Sequence, residues 1–260
     1  MRVRITFNSL EKSIPLPWHY PAQLQGLLFR WLRANDRKLA RRLHDVGFVC
    51  QGHSYKLIVF SHLRGTHAKA TRHAVLLAPP LQWWISSPLD QVIESLVGGL
   101  FGRPYVRLGE KTLIIEQIHV EDPPDFTYEQ AAFYTLSPVV VSTLNNSPQR
   151  PQKIFLSPDQ PDFVRIIQEN LHRKAALLGI HQPADSLSIQ PRRLRSRLFQ
   201  LHGGFIRGWE GEFFLEGPSE LLRVAYEAGL GERNAQGFGM LACHQGPFSD
   251  PPSRRMLPPT

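Results

Sequence analysis

The strongest constraint on how this chain can fold is an ordered switching between two hydrophobic periodicities. Val3, Ile5 and Phe7 alternate with Arg2, Arg4 and Thr6, so a half-buried strand starts almost at the first residue. A proline-rich turn from Ile14 to Pro21 sets Pro21 at a position that favours helix entry. Leu24, Leu27, Leu28, Trp31 and Leu32 then recur at helical spacing to about Ala34. A second short helix is expected over Lys38 to Asp45, with His44 and Asp45 at its polar end, and a strand over Tyr55 to Ser61. Residues 62–74 are basic and poor in apolar groups, as in an exposed loop or hairpin tip. Leu81 to Ser86 returns to strand, Pro88 opens another helix, and Tyr105 to Val120 gives strand residues around a Gly109-Glu110 turn.

That order is β, α, β, β, α, β, and the second half repeats it. Pro123-Pro124-Asp125 interrupts both helix and ladder and marks the boundary. A strand with an embedded bend follows from Phe133, then a helix from about Asp162 to Leu178, strands around Leu187–Phe199 and Phe205–Glu216, a helix from Pro218 to Ala228 and a last strand at Met240–Cys243. The expected class is therefore α+β, with two tandem ferredoxin-like (RRM-like) βαββαβ domains over residues 1–122 and 125–245. Residues 246–260, with five prolines, are expected to form a mobile tail.

Between the final helix and strand lies Gly229-Leu-Gly-Glu-Arg-Asn-Ala-Gln-Gly-Phe-Gly239. Glycine reaches positive φ and carries no Cβ, so such a run can expose successive N–H groups to an anion; Gly229, Gly231, Gly237 and Gly239, with Arg233 and Asn234, are the candidate contacts. A tight turn fits the spacing equally well.

Thirty Lys+Arg against twenty-two Asp+Glu give a net charge of +8, which suits a polyanionic partner. In strand spacing Arg193, Arg195 and Arg197 share one face, a phosphate track that Arg192 adjoins. Arg64, Lys69 and Arg72, with His67 and His73, make the 62–74 segment either a second grip on nucleic acid or a solvated tip. Cys50 and Cys243 lie far apart and fit neither a disulfide framework nor a metal site, so a reducing cytoplasm and no metal or cofactor are expected. No apolar run approaches the ~20 residues needed to span a bilayer, and no membrane partner is expected.

Three stretches carry a family likeness: Leu24-Gln-Gly-Leu-Leu-Phe-Arg-Trp-Leu, Lys38-Leu-Ala-Arg-Arg-Leu-His-Asp, and Tyr226 through the glycine run to Met240, with Thr135-Leu-Ser-Pro138 at the start of the second domain. Together they resemble the RAMP superfamily of CRISPR-associated proteins and, within it, the Cas-six-type repeat-processing endoribonucleases. The resemblance implies a cytoplasmic enzyme that binds CRISPR repeat RNA and cuts precursor crRNA without metal. The adjacent 2′-OH attacks the phosphate, leaving a 2′,3′-cyclic phosphate or 3′-phosphate and a 5′-OH. Such a cut needs a base, an acid and positive charge near the phosphate. His44 falls at the family's histidine and Lys56 at its lysine. Phe29 stands where the family often has tyrosine, so Tyr20 or His19 is left to supply the second proton-transfer group. Assembly with other CRISPR effector subunits and homodimerisation stay open. The alternatives are a non-cleaving RAMP repeat-RNA-binding or effector subunit, and an unrelated RNA-binding module; against the last, no RNP-type aromatic strand is present.

Overall fold

β1 shows how the alternation becomes architecture. Val3, Ile5 and Phe7 are buried, each burial contributing roughly 2 kcal/mol, and the strand pairs antiparallel on both edges. The computed structural model of the chain describes residues 1–145, 152–201 and 204–244. The tail expected over 246–260 lies outside them.

The first half runs β1 (Arg2–Asn8), β2 (Ile14–Pro17), α1 (Tyr20–Asn35), α2 (Arg37–Arg41), β3 (Phe48–Cys50), β4 (His53–Tyr55), β5 (Val59–Phe60), β6 (Ala68–Ala70), β7 (Ala74–Leu77), β8 (Leu81–Ser86), α3 (Asp90–Leu100), β9 (Tyr105–Leu108) and β10 (Lys111–Glu121). The second runs β11 (Gln130–Thr135), β12 (Ser142–Leu144), β13 (Lys153–Phe155), α4 (Pro161–Ala176), β14 (Ser188–Leu201), β15 (Gly204–Glu216), α5 (Ser219–Ala228) and β16 (Leu241–Cys243).

The first main sheet has the order β5-β8-β1-β10-β9 and the second β14-β15-β11-β16. In each, the first strand of the half lies between the third and the last, and the second strand flanks the third. This is the ferredoxin-like order, extended in the first half by β9. The 62–74 segment is not wholly irregular: β6 pairs with β7, which pairs with β2, in a small separate sheet. The strand expected over 55–61 breaks into β4 and β5, because Leu57 takes φ 48° between them.

Each half has its own apolar core, and each core borrows from the other half. Tyr55 and Leu57 of the first half sit in the second core, and Ala235 of the second half sits in the first. Arg2 seals the junction. Buried at 2% exposure, it donates from Nη1 to the Leu241 carbonyl at 2.8 Å and from Nη2 to the Tyr226 carbonyl, with its guanidinium 3.4 Å from the Tyr226 ring centre. Burial pulls its pKa down to about 10. No helix among the described residues is long and apolar enough to cross a membrane.

Candidate active site

The His44 turn begins with a well-capped helix and ends with a deformed one. Asp36 Oδ1 accepts from the Leu39 N–H at 2.9 Å and starts α2. After Arg41 the helix widens into a π turn over Arg42–Val46, closed by Gly47 at φ 72° with its N–H on the Arg42 carbonyl at 2.7 Å. Leu43 is fully buried and anchors the turn, while the next side chain, His44, is 58% exposed. Its Nδ1 lies 2.8 Å from Asp45 Oδ1, and its ring stands edge-on to Phe29 with centres 5.3 Å apart. The hydrogen bond to His44 holds the Asp45 carboxyl below its ordinary pKa. With Nδ1 donating to a carboxylate, Nε2 has no partner among the described residues and can take or give a proton.

Lys56 reaches this turn, though not as an open cation. Its Nζ donates to the Leu43 carbonyl at 2.6 Å and to the His44 carbonyl, and partial burial lowers its pKa. It caps carbonyls that the π turn leaves open and so fixes the backbone beneath the imidazole. Tyr20 requires a correction. It is 6% exposed, its hydroxyl accepts from the Leu63 N–H at 3.2 Å, and burial raises its pKa far beyond a phenol's ordinary value. It is a core residue that packs edge-on against His62, with its hydroxyl on a backbone N–H.

A pocket of about 420 Å³ opens beside His44, lined by Gln25, Gly26, Phe29, Arg30 and Arg33 of α1 and by Gln236. Arg30 and Arg33 are exposed and have no hydrogen-bond or ion-pair partner among the described residues. Sequence reasoning missed them. Their signal was geometric: the apolar stripe from Leu24 to Leu32 leaves Gly26, Arg30 and Arg33 together on the opposite face of the helix.

Gln236 belongs to the glycine run, which overturns the expectation of an open anion cradle. The N–H groups of Leu230, Glu232, Gly237 and Gly239 bond to the carbonyls of Gly239, Val140, Asn234 and Pro138. Lys174, 2% exposed on α4, donates to the carbonyls of Gly229 and Gly231 and to Asn234 Oδ1 at 2.8–3.1 Å. Burial lowers its pKa to about 7. A Cβ on Gly239 would meet the Leu230 carbonyl oxygen at 2.0 Å, and one on Gly237 would meet the Phe60 ring at 2.6 Å, both at positive φ. Gly229 and Gly231, also at positive φ, are closed in the same way by Gly239 and Val140. Asn234 is spent on Leu230, Phe238 and Lys174, and Arg233 Nη1 on Gln236 Oε1 at 2.9 Å. The glycines let the segment wedge between the halves, with the N–H groups of Leu230, Glu232, Gly237 and Gly239 already paired.

Two family models cover nearly the whole chain: CRISPR-associated protein Cas6, N-terminal, matches residues 13–119, and CRISPR associated protein Cas6, C-terminal, matches residues 121–243. The chain belongs to the Cas6 family. It is 25% identical over 243 residues to the CRISPR-associated endoribonuclease Cas6 of Pyrococcus furiosus, covering 92% of this chain and 88% of that one. A solved Cas6-related protein from Pyrococcus furiosus superposes with a TM-score of 0.83 at 20% identity, covering 94% of this chain and 98% of that chain. A structure described as a RAMP protein binding different RNA substrates gives 0.82 at 20% identity, covering 94% and 100%. These structural likenesses carry the fold.

On this Cas6 fold the arginine row keeps three members but not the three that strand spacing predicts. The β14–β15 register shifts between Arg192, opposite Glu212, and Arg195, opposite Glu210. Arg193 takes φ 51° in that bulge and leaves the face that Arg192, Arg195 and Arg197 share. Gly211 faces the bulge because a Cβ there would meet the Arg193 carbonyl oxygen at 2.7 Å. Arg197 Nε bonds Glu210 at 2.8 Å and Arg192 lies over the Phe214 ring, whereas Arg195 is exposed with no hydrogen bond or ion pair among the described residues. Arg64 Nη2 donates to the Thr135 carbonyl at 2.9 Å and so ties the halves together. Lys69 and Arg72 are exposed on the β6–β7 hairpin, outside the pocket lining.

Proposed function

We propose that this Cas6-family chain is a metal-independent endoribonuclease that binds CRISPR repeat RNA and cuts precursor crRNA at one phosphodiester. The observation that carries the reading is His44: an imidazole oriented through Nδ1 by Asp45, free at Nε2, and set at a pocket walled by two unpaired arginines. The 2′-oxygen attacks phosphorus and loses its proton, the P–O5′ bond breaks, and the departing O5′ gains a proton. The products are a 2′,3′-cyclic phosphate and a 5′-OH. His44 Nε2 acts in one of the two proton transfers, and the guanidinium groups of Arg30 and Arg33 offset the charge that builds on the phosphate oxygens. Asp45 holds the tautomer and Lys56 holds the turn. Arg195 extends the contact with RNA along β14, and Lys69 and Arg72 offer a peripheral one.

The test is purified protein with its cognate repeat RNA in EDTA. One cut ending in a cyclic phosphate is expected. Tight binding without product would favour the second reading, a non-cleaving repeat-RNA-binding member of the family. The observation behind that reading is Phe29, which brings a ring but no hydroxyl to His44.

A further inference from the structure

Three glycines lie inside long helices of the first half, and two of them have an evident packing reason. A Cβ on Gly99 of α3 would meet the Trp31 carbonyl oxygen of α1 at 2.0 Å, and one on Gly98 would meet Asn35 Oδ1 at 2.7 Å. Those two glycines let α3 and α1 approach. Gly26 of α1 is different. Nothing lies within 4 Å of where its Cβ would be, and its φ is not in the left-handed region. Glycine is among the poorest helix formers, so the fold itself gains nothing from one here.

Gly26 lines the pocket beside His44, and Arg30 and Arg33 follow it four and seven residues later on the same helix face. Opposite stands Gln236, whose Oε1 is occupied by Arg233, which leaves its amide NH₂ as the group able to donate. A helix face cleared of a side chain, two uncommitted guanidinium forks and an amide donor together match a sugar-phosphate backbone.

We propose that Gly26, Arg30 and Arg33 form a phosphodiester subsite, in which the missing side chain lets a single RNA strand lie against α1 while the two arginines hold the phosphate presented to His44. The proposal rests on the repeat-RNA reading above and deepens it. Gly26 sets how closely the strand approaches; Arg30 and Arg33 supply its charge.

The experiment measures Tm, repeat-RNA affinity against salt, and single-turnover cleavage in EDTA for the full chain and for Gly26→Ala, Gly26→Leu, Arg30→Gln and Arg33→Gln. Gly26→Ala should raise Tm by about 2–4 °C through helix propensity while weakening RNA binding about threefold. Gly26→Leu should weaken binding at least tenfold with Tm not lowered. Each arginine variant should reduce the slope of log affinity against log salt by about one. Stabilised Gly26 variants that bind and cut like wild type would overturn the subsite, as would unchanged salt slopes in both arginine variants. If wild type binds but does not cut and the variants still bind less well, the subsite stands and the endonuclease reading falls. If wild type binds no repeat RNA, both fall.

Discussion

The glycine run and the His44 turn are both sharp departures from regular structure, and they are built on opposite principles. The glycines of Gly229–Gly239 are buried, backbone groups of the run pair with one another and with Val140 and Pro138, and Lys174 adds three hydrogen bonds from α4. Its residues are chosen by sterics: where a Cβ would strike a carbonyl at 2.0 Å, only glycine fits. The His44 turn buries one anchor, Leu43, and leaves its imidazole 58% exposed with one nitrogen free. Its residues are chosen by chemistry. A dense motif thus marks the part that holds the halves together, and a sparse one marks the part proposed to react.

That contrast predicts which changes harm activity and which harm the fold. The largest effect is expected at the turn. His44→Ala should slow cleavage about 10³-fold, roughly 4 kcal/mol of barrier, with Tm and RNA affinity kept. Cleavage unchanged in this variant would remove the chemistry from the turn. At the loop the pattern should invert: Gly239→Ala, strained at φ +77°, should cost about 3–4 kcal/mol of stability and lower Tm by roughly 10 °C. A Tm within a degree of wild type would show that the loop is not the wedge described.

A third prediction concerns His62, half-buried and packed edge-on against Phe238 of the loop and also against Tyr20 and Phe199. Burial lowers its pKa to about 4 from 6.5, outweighing Glu210 and a hydrogen bond to the Gly237 backbone, which act the other way. Between those two pH values the unfolded chain binds a proton that the folded chain refuses. Stability is therefore intact above about pH 6.5, falls as pH drops, and levels off below 4, a loss of about 3 kcal/mol. Denaturant titrations from pH 7 to pH 4 should show this slope and His62→Gln should lack it; identical slopes would assign the effect elsewhere. The smallest effect is expected from Lys56→Gln, which uncaps the Leu43 and His44 carbonyls. Cleavage should drop about tenfold at unchanged RNA affinity, and Lys56→Arg, which can still donate, should restore most of it. Equal loss in both variants would argue for a more direct role of the ammonium.

Much of the fold was legible because strand and helix periodicities are local. Val3, Ile5 and Phe7 alternate and are buried, and Leu24, Leu28, Trp31 and Leu32 recur and are buried. The candidate site was legible only where a residue carries its own chemistry, as His44 does. Tyr20 offers the right hydroxyl in the sequence, yet the fold closes it under His62. Arg193 offers the right charge, yet a bulge opposite Gly211 turns it off its row. Arg30 and Arg33 share a helix face that the local pattern shows, yet nothing local distinguishes an arginine that finds a partner from one that does not.

The two βαββαβ halves, the family likeness and the histidine at the end of the short helix can be read from the residues alone, since each rests on patterns that span a few turns of chain. Which polar groups remain free is settled by the packed fold. Lys174 consumes the carbonyls of a loop 55 residues away, and Gln236 closes a pocket against α1 from the far half of the chain. Hydrogen-bond capacity is settled between partners distant in sequence, and a free donor is identified only after every other donor has been accounted for.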